Sequence, residues 1–419
     1  MGCALQRPGF RRLFAAQTVS RWGDTFNSVA LVILVYQLTG SGVKVAGTVA
    51  FEIVPVLLLG FIAGAVVDRY SRRKVMLAAD LGRAAVALSL VVAHDNLAVI
   101  YLAAFLLSGF SVFFNPAAAS LLPALVPEED IVGANSAVWS AAVISQIALA
   151  PMAGALVAFA GPGPAFAINA ATFLVSAAFL ARLPIPERPP PAPAKHLDDV
   201  IEGLRAIRAS RFLTVLAGVQ GLAALSAGAT SALLVVLAEE HLDVGAGQFG
   251  LLIAAIGIGA GFGPLVLQRV VDDVRRPVFL YGPYLLRGGV DIVLAASKSF
   301  PVALGALGVY GVGTSTGNVT YNSVLQTTVP DRLRGRVFAF YDVVWQTARL
   351  ISIGVGGTMA DIYGVAAVYW AGGILLLAAG ALGITKGRTS PPPDQSEPGT
   401  VASKTDQATP QPRETPASG

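Results

Sequence analysis

The chain has 419 residues, of which 54% are apolar before its 45 glycines are counted and only 13% are charged, about half the charged share of a soluble protein. At about 20 apolar residues per crossing of a ~30 Å hydrocarbon layer, this composition fits roughly ten to fourteen membrane helices and leaves no room for a large soluble catalytic domain. The 29 basic and 25 acidic residues form no basic domain for nucleic acid, the single cysteine makes no internal disulfide, and the three histidines have no metal-ligand spacing.

The opening MGCALQRPGFRRLF lacks a short apolar region followed by a small-residue cleavage site, so the first span is expected to be retained. Gln6 stands where a myristoylation pattern requires Ser or Thr, and Cys3 is read as incidental. Apolar runs bounded by charge, Gly and Pro predict helices over 13–38, 44–67, 74–94, 97–122, 129–159 and 164–183. A second set of six is predicted over 212–237, 245–271, 277–297, 300–327, 332–360 and 364–386. Between the sets, PIPERPPPAPAKH is too rich in proline for a membrane helix. LDDVIEGLRAIRASR follows it, with Leu197, Val200, Ile201, Leu204 and Ile207 on one face of a short helix expected to lie on the cytoplasmic surface. From Gly387 onward seven prolines and few apolar residues predict a disordered tail. The expected organisation is a first half over 1–183, a linker over 184–211, a second half over 212–386 and a tail over 387–419.

Loop charge predicts the orientation, because Lys and Arg are retained on the cytoplasmic side. With a cytoplasmic N-terminus, that side receives Arg7, Arg11 and Arg12, the run Arg69, Arg72, Arg73 and Lys74, the linker bases, Arg269, Arg275 and Arg276, and Arg332, Arg334 and Arg336. Only Lys44 and Lys298 fall on the other side. Both termini are therefore expected to be cytoplasmic, in agreement with an even helix count. The sets also match at an offset of about 203 residues: Asn115, Ser120, Val126, Pro127 and Gly154 fall on Asn318, Ser323, Val329, Pro330 and Gly357, with Arg83 one residue off register from Arg287. Two repeated halves around a shared midplane site are a common plan of secondary transporters.

No G-x-x-x-x-G-K-[ST] loop is present to cradle nucleotide phosphates. The glycine runs at 257–263 and 311–317 lie inside apolar spans with small-xxx-small spacing, which favours helix packing. Between the second and third spans the chain reads Gly64-Ala-Val-Val-Asp68-Arg69-Tyr70-Ser71-Arg72-Arg73. This resembles G-x-x-x-D-R-x-x-R-R, the signature of the major facilitator superfamily, with Ser71 in place of the usual glycine. The resemblance implies an all-α membrane protein of twelve transmembrane helices in two pseudo-symmetric six-helix halves. It also implies that Asp68 and its basic neighbours form a charge relay with the start of helix eleven that stabilises one state of a transport cycle. An Asp at the carboxyl end of its own helix meets the unfavourable pole of the dipole and needs such partners. In helix five, Ala150, Pro151 and Gly154 are similar to a degraded antiporter motif, G-x-x-x-G-P-x-x-G-G, and suit a packed proline kink equally well. RWGDTFNSVAL in helix one and VPDRLRGRVFAFYDVVWQ at the start of helix eleven resemble the macrolide-efflux and enterobactin-exporter-like branch, over about residues 10–386.

Ionisable groups within spans are candidate functional groups, since a charge in hydrocarbon is expensive unless it is paired or faces water. In helix one, Gln17, Arg21, Asp24, Asn27 and Ser28 recur at three- and four-residue steps on one stripe. Asp24 lies eleven residues beyond Leu13, about 16 Å along the axis and near the midplane, which makes it the leading site. Helix eleven repeats the pattern with Asp342, Gln346 and Arg349, helix ten offers Thr314, Asn318 and Tyr321, and helix four offers Ser108, Ser111 and Asn115. In the family, helices one, four, seven and ten line the cavity. Glu52 has no charged partner near it in sequence, and its depth and isolation suit a proton carrier. Arg21 with Asp24, Asp80 with Arg83, and Arg287 with Asp291 also fit structural pairing within one helix; that reading is favoured for the last two.

The expected function is export of a small amphipathic compound in exchange for protons, with Trp22, Trp139, Tyr321 and Trp345 as stacking candidates. The expected partners are the small-molecule substrate, protons and the lipid bilayer of a bacterial cytoplasmic membrane. No cofactor and no nucleic acid are expected, and the chain is expected to act as a monomer. Rival readings are an uptake symporter or a lysophospholipid flippase of the same fold, or a non-transporting sensor. No Ser-His-Asp grouping or D-x-x-D-G motif in the spans supports a membrane enzyme.

Overall fold

The computed structural model describes residues 6–127, 130–183, 204–205, 207–270, 276–329 and 331–387, without the side chains at 61, 65, 68, 132, 268, 270, 331 and 332. The expected tail beyond 387 and residues 197–203 and 206 of the expected linker helix lie outside the described residues; Ile207, on its expected apolar face, is buried with Phe212 and Leu213. Twelve long helices run through the described part. The first six are α1 (Pro8–Thr39), α2 (Gly42–Arg69), α3 (Arg72–Ala93), α4 (Leu97–Leu125), α5 (Ile131–Ala160) and α6 (Gly163–Ala181). The second six are α7 (Arg211–Ala232), α8 (Ala246–Val270), α9 (Pro277–Ala296), α10 (Phe300–Thr328), α11 (Asp331–Tyr363) and α12 (Val365–Lys386). After α7 the chain continues through a helical turn, Leu234–Val236, and a π-helical turn, Leu237–His241.

Local chemistry sets the boundaries. Pro8 opens α1, where its missing N–H leaves nothing unpaired. The side chains of Ser41, Asn96 and Ser210 accept bonds from backbone N–H groups in the first turns of α2, α4 and α7. The tight turns α1–α2, α5–α6 and α11–α12 use Gly40, Gly161 and Gly364 at φ 58°, 75° and 82°, a backbone region that penalises a Cβ. Gly161 and Gly364 stand 203 residues apart, the offset of the sequence repeat.

Nine of the twelve helices are apolar and long enough to cross a membrane by composition. The other three, α1, α10 and α11, carry the polar stripes expected to be functional, and those stripes are what lowers their hydropathy. Neighbour relations repeat with the sequence. In the first half α1 packs on α5 and α6, α2 on α4, and α3 on α4 and α6. In the second half α7 packs on α11 and α12, α8 on α10, and α9 on α10 and α12. Adding six to each label of the first list produces the second, and the two most extensive contacts between halves, α2 with α11 and α5 with α8, obey the same shift.

The hydrophobic core is shared between the halves at one end only. Val29 to Val35, Val45 and Val49 pack in one cluster with Ala229 to Ala238, Ile353, Ala360 and Val365. At the end carrying the Arg-rich loops, the clusters around Leu13 and Met76 and around Phe10 belong to the first half alone, and the cluster around Leu213 and Tyr281 belongs to the second. The halves therefore meet at a closed end and keep separate cores at the other, open end.

Small residues make the closed end possible. A Cβ on Gly357 of α11 would come 3.0 Å from the Val43 Cα of α2, and one on Gly250 of α8 would come 2.8 Å from the Pro151 Cα of α5. Ala150, Pro151 and Gly154 thus lie where α5 meets α8. The glycine runs of α8 and α10 face each other, with Cβ positions on Gly259 and Gly311 reaching 3.0 Å from Val312 N and 2.8 Å from Ala260 N. Close backbone approach accounts for both runs. Polar contacts add to the closure. Asp361, in the last turn of α11, accepts bonds from Ser41 Oγ at 2.7 Å and Gly42 N at 2.6 Å, with a longer one from Val43 N at 3.4 Å. Tyr36 at the end of α1 donates to Glu240 Oε1 at 2.9 Å.

At the open end Gly64 has nothing within 4 Å of a Cβ position. Arg72 and Arg73 donate to the backbone oxygens of Ser120 and Leu183, at 3.4 and 3.3 Å, inside their own half. Arg69 is exposed, and the Asp68 side chain, on which the expected relay depends, lies outside the described residues.

Candidate functional site

A cavity of about 800 Å³ lies between the halves, walled by α1 and α5 of the first and by α7, α8, α9, α10 and α12 of the second. Most of its wall is aliphatic or aromatic, including Val29, Val138, Trp139, Phe249, Ile253, Leu294, Tyr310 and Tyr369. Its ionisable members are Arg21 and Asp24 on α1 and Asp291 on α9, and Asn135, Gln146, Thr230 and Ser231 supply neutral polarity. A largely apolar pocket with a few convergent polar groups suits a drug-sized amphipathic molecule. Among the described residues, no three His, Cys, Asp or Glu side chains are grouped to hold a metal ion.

Of the expected stripe on α1, Arg21, Asp24 and Ser28 line the cavity, because residues three and four apart share a face, while Gln17 and Asn27 do not. Thr25 and Ser28 turn their hydroxyls back to the carbonyls of Arg21 and Asp24, at 3.0 and 2.8 Å, which leaves the Asp24 carboxylate free of that competition. Arg21 and Asp24 make no ion pair. Trp22 does not line the cavity and donates from Nε1 to Ser145 Oγ of α5 at 2.9 Å.

The three helical pairs separate in the structure. Asp80 and Arg83 form a buried ion pair, and Ser176 Oγ donates to Asp80 Oδ2 at 2.6 Å. The Arg83 guanidinium lies over Phe114 and Phe173, 4.3 and 4.5 Å from the ring centroids. This pair is structural. Arg287 does not pair with Asp291: its Nη2 donates to Tyr310 Oη at 2.8 Å, and the guanidinium lies 4.7 Å from that ring's centroid. Asp291 is 1% exposed and lines the cavity. The i,i+4 spacing that suggests neutralisation hides this arrangement, since Tyr310 on α10 takes the arginine.

The remaining candidates divide. Asn318, Tyr321 and Asp342 line a second cavity of about 380 Å³ inside the second half, with Gln220, Arg287 and Trp345. Tyr284 donates to Gln220 Oε1 there at 2.7 Å. Glu52, Gln346, Arg349 and Asn115 line neither cavity. Glu52 makes no ion pair among the described residues; it lies on α2, which packs on α11 of the opposite half. Helix α4 contributes nothing to either wall, unlike the expectation for that helix. Ser108 donates to the Glu52 carbonyl at 2.5 Å and Ser111 to the Leu107 carbonyl at 2.8 Å, so these hydroxyls serve helix packing, and Asn115 is exposed elsewhere. Thr230, Ser231, Tyr310 and Tyr369 enter the wall without having been singled out from sequence; Thr and Ser together in an apolar helix were the available signal.

Comparison with known proteins places this arrangement among transporters. The family described as transmembrane secretion effector matches residues 3–398. An uncharacterized MFS-type transporter, YfiS of Bacillus subtilis, is 27% identical over 395 residues, covering 89% of this chain and 92% of that protein. The enterobactin exporter EntS of Escherichia coli O1:K1 is 26% identical over 386 residues, covering 90% and 91%. Among solved structures, a bacterial homologue of the iron transporter ferroportin in an inward-facing state superposes with a TM-score of 0.72 at 16% identity, covering 91% of this chain and 98% of that one. The POT family transporter PepTSo also gives 0.72, at 12% identity, covering 91% of this chain and 97% of that one. At these identities the structures establish the shared fold.

Proposed function

The chain belongs to the transmembrane secretion effector family of the major facilitator superfamily, a family of multi-pass membrane transporters, and we propose that it exports a small amphipathic or hydrophobic compound by alternating access in exchange for protons. The observation that carries this reading is the cavity of about 800 Å³ between halves that share a core at one end only. With both termini in the cytoplasm of a bacterium, as loop charge favours, the open end faces the cytoplasm and the solute enters from inside. Rocking the halves then breaks the contacts of Asp361 and of Tyr36 with Glu240 and opens the opposite end.

Asp24 and Glu52 carry the coupling. Asp24 borders the solute, while Glu52 lies on α2, the helix that packs on α11 of the other half, so a change in the protonation of either acts where the halves move. Gly64, Asp68, Arg69, Arg72 and Arg73 take the part of the closing relay at the cytoplasmic end. The organisation into two six-helix halves, a linker and a tail belongs to the same reading. The export name of the enterobactin relative supports outward direction, and the shape and polarity of the wall support an organic solute.

The test is a drug and metabolite susceptibility panel in a strain lacking the protein, followed by uptake of the implicated compound into inside-out vesicles. The expected result is hypersensitivity to particular amphipathic compounds, with uptake that collapses when the proton gradient is dissipated. Accumulation that falls in the deletion strain would instead identify an importer.

A further inference from the structure

The last helix of each half ends on the side of the Arg-rich loops, and the two ends are finished differently. In the second half the Gly387 carbonyl beyond α12 accepts a bond at 3.0 Å from the hydroxyl of Tyr281 on α9, a buried and neutral donor. Leu183 stands 204 residues before Gly387, in the register that relates Arg83 to Arg287. Its carbonyl, beyond α6, accepts from Arg73 Nη1 on α3 at 3.3 Å, and the adjacent Arg182 carbonyl accepts from Arg12 Nη1 on α1 at 2.8 Å. A neutral hydroxyl therefore meets in one half the need that a guanidinium meets in the other. Finishing this helix end does not require charge, yet three arginines gather at the end of α6.

Each guanidinium carries five donors; Arg12 and Arg73 each use one, and the Arg182 side chain uses none. Among the described residues no acid pairs with any of the three. Arg73 and Arg182 are exposed and Arg12 is partly so. Phe179 and Val175, three and seven residues before Arg182, share its helix face and are exposed too. Arg182 thus stands at headgroup depth above a stripe that faces acyl chains. A phosphodiester accepts from several guanidinium donors at once. We propose that this end of α6 binds an anionic phospholipid, its phosphate held by Arg12, Arg73 and Arg182 and its acyl chains lying along Val175 and Phe179. The second half has Tyr281 in the corresponding place, so a lipid bound here fastens only the first of the two halves to its leaflet. Such a site requires only the membrane fold and is independent of what the cavity carries.

The experiment is native mass spectrometry of the full chain in detergent, offered equal amounts of phosphatidylglycerol and phosphatidylcholine with identical acyl chains, so that only headgroup charge differs. Wild-type protein is expected to retain the glycerol lipid at least about fivefold over the choline lipid, and Arg12→Gln with Arg73→Gln to reduce that ratio to about twofold or less. Arg211→Gln with Arg276→Gln removes the same charge from exposed bases at the same end of the second half, and is expected to leave the ratio near that of wild type. Equal retention of the two lipids by wild-type protein overturns the proposal without any variant, so the outcome does not depend on a variant folding. A ratio unchanged by the first pair of substitutions, or reduced equally by the second, overturns it as well, because the preference then belongs to total charge and not to this end of α6. Displacement of the lipid by an equal concentration of inorganic phosphate overturns it in favour of a soluble anion. Solute uptake is not part of the readout, so export stands or falls separately.

Discussion

The closed end makes a quantitative prediction through Asp361. As the last acid of α11 it meets the unfavourable pole of its own helix, and its carboxylate instead caps the first turn of α2, whose N–H groups are unpaired within that helix. Asp361→Ala removes two short charge-assisted bonds that exist only while the halves are together at this end. Asp361 is exposed, so water competes for both, and the loss to the closed state is set at about 1–2 kcal/mol, toward the low end for bonds to a charged group. At about 1.4 kcal/mol per factor of ten, the ratio of molecules open at this end to molecules closed rises roughly five- to thirtyfold. Asp361→Asn keeps an acceptor for Gly42 N and is expected to give the smaller shift. The chain's only cysteine is Cys3, so a Cys3→Ser background accepts spin labels at Leu38 and Tyr363, exposed residues on opposite halves at this end. Double electron–electron resonance then reads the two populations. A distance distribution in Asp361→Ala that matches the parent would refute the argument that this carboxylate holds the halves together.

Other substitutions test the remaining parts. In proteoliposomes, Asp24→Asn is expected to abolish solute-driven proton movement and Glu52→Gln to weaken it, and full coupling in both variants would remove these acids from the mechanism. Breaking the buried pair by Asp80→Leu is expected to cost about 3–5 kcal/mol, because Arg83 is left charged and unpaired; the double change Asp80→Leu with Arg83→Leu should recover part of the thermal midpoint, and a double variant less stable than the single one would contradict this. Gly250→Leu places a side chain against the Pro151 backbone and should cost about 1–3 kcal/mol of the closed arrangement. Solute transport should fall with it, whereas Gly64→Leu, which has open space in this state, should fold with a wild-type melting curve.

Much of the architecture was legible because a bilayer demands long apolar runs and leaves few alternatives. Every one of the twelve expected spans corresponds to an observed helix, with ends shifted by a few residues where Pro8, Gly40, Ser41 and Asn96 act as local stops and caps. The offset that relates Asn115 to Asn318 and Gly154 to Gly357 reappears in the pairing of helices, and both glycines lie at contacts between halves. On α1 the three- and four-residue steps placed Arg21, Asp24 and Ser28 together on the cavity wall.

Helical spacing fixes which residues share a face; the rotation of that face toward lipid, a neighbouring helix or a cavity depends on all the helices packed around it. The sequence by itself therefore determined the membrane class, the duplication, the helix limits and the stripe on α1, all of which follow from local periodicity and the thickness of the bilayer. Only the tertiary structure decided that Arg287 leaves Asp291 for Tyr310, that Ser108 of α4 donates to the backbone of α2, and that Asp361 caps a helix some 320 residues earlier in the chain. Each of these depends on a partner in another helix, and no spacing within one helix encodes it.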